Sequence, residues 1–167
     1  MRHDLAPGAR SAVRICLNVA NTDRVAVIKD QPCLEIAEAI EEEARSTGAE
    51  VRSWTMEDHV RRPATEFPRS IGDAILKLRP TVSYFIGSGQ KGELACRQPM
   101  LHLLTHELGC RHGHMIRIDD QLLKDGIAGD YEGIYPITPP VLTGSQTAAA
   151  LPAHTRTRER PSHPLVH

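Results

Sequence analysis

The sequence predicts an α/β fold: a three-layer, mostly parallel, doubly wound sheet of about four strands, followed by a disordered C-terminal tail. Two observations carry the ordered part. Continuous apolar runs of strand length recur along the first 120 residues, and stretches with helical apolar spacing separate them. A third observation sets the boundary. Beyond Tyr135 the residues 136–167 hold six of the twelve prolines, a single acid (Glu159), three arginines and no aromatic residue. Such a segment buries too little apolar surface to offset its ordering entropy. The expected organisation is one domain over 11–135 and a tail over 136–167.

The elements follow in order. "SAVRICLNVA" (11–20) is a helix-compatible lead, and "RVAVIKD" (24–30) holds a continuous apolar run of strand length that ends at Asp30, the pattern of a strand covered on both faces. "PCLEIAEAIEEEARSTG" then places Ile36, Ala37, Ile40 and Ala44 on one helical stripe and its glutamates opposite, with Pro32 in the first turn and Gly48 as the stop. "AEVRSWTM" (49–56) alternates like a strand with one wetter face. Ile71, Ala74, Ile75 and Leu78 line one stripe of a helix over 68–78. "TVSYFIGSG" (81–89) is β-branched and aromatic, 93–108 is helical with Leu101, Leu104 and Leu108 aligned, and "HMIRID" (114–119) is the fourth strand. Asp120 is placed to cap a short helix closed by Gly126.

Composition narrows the class of protein. Twenty Lys and Arg stand against 21 Asp and Glu, so no strong field draws the chain to nucleic acid. No apolar run approaches the roughly 18 residues of a membrane span, and "MRHDLAPGAR" lacks a secretory apolar stretch, which predicts a cytoplasmic protein. Cys16, Cys33, Cys96 and Cys110 are scattered without a C-x-x-C pair and suit reduced thiols, two of them packed as small apolar residues.

Three local patterns invite a site. "THELGCRHGH" (105–114) has the start of H-E-x-x-H, but Cys110 stands where the second histidine belongs. His102, His106 and Cys110 recur at i, i+4 and i+8, a spacing able to hold zinc, although the face opposite the leucine stripe is expected to meet water. His112 and His114 read as loop and strand-start residues. "GSGQKG" (87–92) satisfies G-x-G-x-x-G between a strand and a helix, with Asp119 after the next strand, but the gap is longer than a dinucleotide site uses. The third is the carboxyl rim of the sheet, with Asp30, the "EDH" of 57–59 and Asp119-Asp120. Helix capping is the expected role for Asp30 and Asp120.

The segments "RVAVIKDQPCLEIAEAIEEEARSTGAEVRSWTMED", "ELACRQPMLHLLTHELGCRHGHMIRI" and "DDQLLKDGIAGDYEGI" resemble the amino-terminal α/β domain of the leucyl aminopeptidases of aminopeptidase T type, a thermophilic metallo-aminopeptidase family. The resemblance spans 11–135, and its most characteristic piece is the carboxyl end with Asp130, Tyr131 and Glu132. It implies a hydrolase lineage in which a dinuclear metal site, zinc or cobalt, belongs to a carboxyl-terminal domain. A related branch opens dihydroxylated pyridine rings with non-haem iron. The chain departs from the family after "DYE", turning to "PITPPVLTGSQTAAALPAH", as a truncated or out-of-frame product would. The resemblance therefore assigns no catalytic, cofactor-binding or metal residue here. It implies a non-catalytic or fragmentary domain that walls a cleft and helps hold subunits together, with self-association or pairing with a full-length homologue. The alternative expectation is a small nucleotide-binding module built on Gly87 to Gly92.

Overall fold

A computed structural model describes residues 3–127 of the protein. The disordered tail expected over 136–167, and the Asp130-Tyr131-Glu132 segment, lie outside the described residues. Four strands, β1 (Arg24–Lys29), β2 (Glu50–Thr55), β3 (Val82–Gly87) and β4 (Arg111–Ile116), form one sheet in the order β2-β1-β3-β4. All neighbours pair in parallel, with Val25 opposite both Val51 and Val82, and Val82 opposite Arg111. Central β1 and β3 are buried along almost their whole length because helices cover both faces. This is the doubly wound, three-layer fold that the apolar runs predict.

One face carries the amino-terminal helix α1 (Ala6–Arg10), which widens into a π-helical turn over Ser11–Cys16, together with α2 (Leu34–Ser46) and the carboxyl-terminal π turn Leu122–Ile127. Leu5, Val13, Ile36, Ile40, Val27, Tyr84 and Leu123 belong to the core cluster on this side. The other face carries α3 (Arg69–Leu78) and α4 (Leu94–His102), the latter continued by a π turn over Leu103–Glu107. There Ile28, Ile71, Ile75, Phe85, Met100 and Leu104 share a second cluster. Side chains alternate along a strand, so Val27 and Ile28 feed opposite cores from adjacent positions.

Four departures from the sequence reading have local causes. The first helix begins at Ala6, five residues before the lead, with Pro7 in its opening turn and the buried Leu5 just ahead. The glutamates of α2 do not all face water: Glu41 is buried and accepts a 2.6 Å bond from Lys29 Nζ and a 2.8 Å bond from Arg45 Nη2. Strand β4 covers 111–116 in place of 114–119, because Arg117 turns to φ +56° and ends the extended line there. An edge strand also needs fewer apolar residues, which lets Arg111, His112 and Gly113 serve. Finally, Asp119 takes the capping role given to Asp120, its Oδ1 accepting from the amide of Leu122 at 2.8 Å.

Candidate functional site

In an open parallel sheet the place for a ligand is the crevice outside the strand carboxyl ends where the connections diverge. Here β1 leads to β2 on one side while β3 leads to β4 on the other, so that point lies between β1 and β3. Asp30 follows β1 and Ser88 follows β3. Asp30 Oδ2 accepts bonds from the Ser88 amide at 2.7 Å and the Ser88 hydroxyl at 2.6 Å, bridging the divergence directly. The backbone of Asp30 stands at the start of the turn Gln31–Cys33, but its side chain makes no capping bond to that turn. The expected capping role gives way to a tertiary one.

The residue that organises the rim is Arg62, from the connection between β2 and α3. Its Nη1 reaches Asp30 Oδ2 at 3.1 Å and Glu57 Oε1 at 3.2 Å, its Nη2 reaches Glu93 Oε2 at 2.7 Å, and its Nε donates to Glu93 Oε1. The side chains of Arg62, Asp30 and Glu93 are 5%, 0% and 3% exposed, whereas Glu57 is 28% exposed. Burial would raise the Glu93 carboxyl, but hydrogen bonds from Arg62, the Ala64 amide and the Gln90 amide outweigh it and hold the group below the usual carboxylate range. Burial likewise works against the charged guanidinium of Arg62, and Glu93, Asp30 and Glu57 together overcome it. The Cys33 thiol beside Asp30 is pushed up to about 12 by burial first and by the Asp30 charge second, so it stays protonated.

The glycine loop is part of the same arrangement. Gly89 adopts φ +68°, and a Cβ there would meet Ile116 Cγ2 at 2.5 Å, which explains a glycine by close approach to β4. Two amides of the loop are engaged by carboxylates: Ser88 N with Asp30 Oδ2 at 2.7 Å, and Gln90 N with Glu93 Oε2 at 3.2 Å. An incoming anion would meet carboxylates. Of the "EDH" rim, Glu57 also accepts from the Gln31 amide at 3.1 Å, and His59 Nδ1 sits 2.8 Å from Ser70 Oγ. Asp30 Oδ1 is buried without a hydrogen-bond partner.

The histidine-rich stretch does not assemble as a triple. His102 and His106 lie on the exposed face of the α4 continuation with rings 5.2 Å apart, and His102 Nδ1 is 3.2 Å from Glu107 Oε1. The helix stops first. Gly109 takes φ +65° and Cys110 turns inward, its thiol donating to the Pro80 carbonyl at 3.1 Å. His112 and His114 instead fall on one face of β4. His112 Nδ1 meets Ser83 Oγ at 2.9 Å, and its Nε2 meets His114 Nδ1 at 3.2 Å. Burial, and secondarily His114, pushes His112 down to about 4, so its ring is neutral at neutral pH. Among the described residues, no group of three or more His, Cys, Asp or Glu side chains is placed to hold a metal ion.

Arg62 and Glu93 carry no sequence signal as a pair. They are 31 positions apart, and only the sheet's assembly brings the two connections together. A groove of about 670 Å³ runs between the β2 edge and α3, lined by Arg24, Arg52, Trp54 and Lys77, away from the divergence point. Among the described residues no helix is long and apolar enough to cross a membrane. No family model matches the chain, and no curated protein does.

Proposed function

We propose that the chain acts as a non-catalytic α/β domain of a metallo-aminopeptidase-like protein, walling a cleft whose metal ligands belong to another domain. The observation that supports this reading is the Arg62 cluster. The crevice where a doubly wound sheet ordinarily receives its ligand is filled by the chain's own guanidinium and carboxylates. A buried ion set with its hydrogen bonds largely made acts as a brace, and the Ser88 hydroxyl joins it by donating to Asp30. The family named in this proposal rests on the resemblance of residues 11–135 to the aminopeptidase T-type amino-terminal domain.

Two arms test the reading. The purified chain, incubated with leucyl peptides and added zinc or cobalt, is expected to release no amino acid; release that a chelator abolishes contradicts it. Mixed with the separately expressed metal-binding domain of an aminopeptidase T-type enzyme, the chain should co-elute as a complex. Separate elution at micromolar concentration counts against the family. The alternative, a nucleotide-binding module on Gly87 to Gly92, has less support because Ser88 N and Gln90 N already have carboxylate partners.

A further inference from the structure

Strand β4 is an edge of the sheet, and His112 and His114 occupy alternate positions on it, so both rings project from the same face. Their facing nitrogens, His112 Nε2 and His114 Nδ1, are 3.2 Å apart. Zinc binds imidazole nitrogen at about 2.0–2.1 Å, so two nitrogens of one tetrahedral zinc ion lie about 3.3 Å from each other. The pair is already spaced as two corners of that tetrahedron. His112 has the orienting partner such ligands use: with Nε2 on a metal, Nδ1–H donates to Ser83 Oγ, now 2.9 Å away. Ser83 is fully buried on β3 and fixes that ring, while His114 is exposed and stacks against Phe85 with ring centroids 5.5 Å apart.

We infer that His112 and His114 form a two-imidazole site for a borderline divalent cation such as zinc, with Ser83 as the positioning residue and water completing the shell. The bridge between the rings holds one proton, carried by one of the two neutral imidazoles. Zinc takes its place between the rings. The ring that carried the proton changes tautomer, so that His112 ends as Nδ1–H toward Ser83 and His114 as Nε2–H toward solvent, and no net proton is lost. The guanidinium of Arg97 acts electrostatically on His114 and opposes a bare cation there, which sets the affinity below that of a four-ligand zinc site. The site does not depend on the Arg62 cluster and does not rest on the aminopeptidase reading.

The test is zinc titration of the full chain followed by NMR of the imidazole nitrogens. His112 Nε2 and His114 Nδ1 should shift together to metal-bound positions, with His114 protonated at Nε2. His114→Gln should demand at least about tenfold more zinc to move His112, and Ser83→Ala should weaken binding about 10-fold or more, the loss expected of an orienting partner. The double substitution His102→Gln/His106→Gln should leave the His112 and His114 shifts unchanged. The inference is overturned if other imidazoles titrate while these two stay in place, or if His114→Gln leaves the His112 response as it was.

Discussion

Arg62 grips Glu93 through two parallel bonds, Nε to Oε1 and Nη2 to Oε2, with both side chains almost wholly removed from water. Bidentate pairs of this kind are among the stronger charge-assisted contacts, and they are directional. The pair ties the connection after β2 to the start of α4, while Nη1 of the same guanidinium holds Asp30 after β1. One side chain therefore joins the carboxyl ends of three strands.

The Glu93 carboxyl sits below its ordinary value, and the sign of its linkage to stability follows. Between the folded and unfolded values the unfolded chain binds more protons, so this contribution is fully present above the unfolded value of about 4.3 and fades as pH falls through the folded one. Chemical denaturation from pH 6 to pH 3 should show an acid loss of stability. Glu93→Gln should be less stable at pH 6 and have a shallower acid slope; a slope equal to that of the unsubstituted protein would contradict the assignment.

Ser88→Ala removes the hydroxyl that donates to Asp30 but leaves the amide bond and the Arg62 contact in place. Hydrogen bonds to charged groups contribute about 1.5–3 kcal/mol, and a loss in that range is expected by urea denaturation. A neutral substitution would show that the bridge across the sheet's divergence point is not formed in solution.

Two glycines in one loop should behave differently. Gly89→Ala brings left-handed backbone strain of about 1 kcal/mol or more together with a contact against Ile116 that adds overpacking of about 1–3 kcal/mol. Gly92, at φ +98° with nothing within 4 Å of an added Cβ, brings strain alone. The melting temperature should fall further for Gly89→Ala than for Gly92→Ala. The reverse order would mean that the loop does not approach β4 as described.

Of the four cysteines, Cys33, Cys96 and Cys110 are buried and Cys16 is exposed. A thiol reagent added to the native protein should modify one cysteine ahead of the remaining three, which need denaturant, since access to the sulfur separates them. Mass mapping should place the fast label on Cys16. Rapid labelling of Cys110 would contradict its inward turn toward Pro80.

The layers were legible because burial writes itself into periodicity. Val25 to Ile28 show as an unbroken apolar run and Val82 to Ile86 as a β-branched and aromatic one broken only by Ser83, both buried under helices on the two faces, while Ile36, Ile40 and Ala44 fall on one stripe of α2. Edge strand β4 was displaced in the reading because Arg111, His112 and Gly113 pair with β3 without needing apolar side chains. The site was less legible. Asp30 and the glycine loop were visible as rim residues, but Arg62 joins carboxylates 5, 31 and 32 positions away, a separation that no local pattern encodes. His102, His106 and Cys110 had helical spacing on paper, and the turn at Gly109 removed the third member.

The role of Arg62 as the cation that closes the crevice is tested most directly by the unfolding free energy of Arg62→Met at pH 7. Removing one partner of a buried ion set leaves the others uncompensated, and a loss of about 3–5 kcal/mol is expected. Equal or greater stability would contradict the account, because residues kept for a ligand commonly cost stability and their replacement restores it.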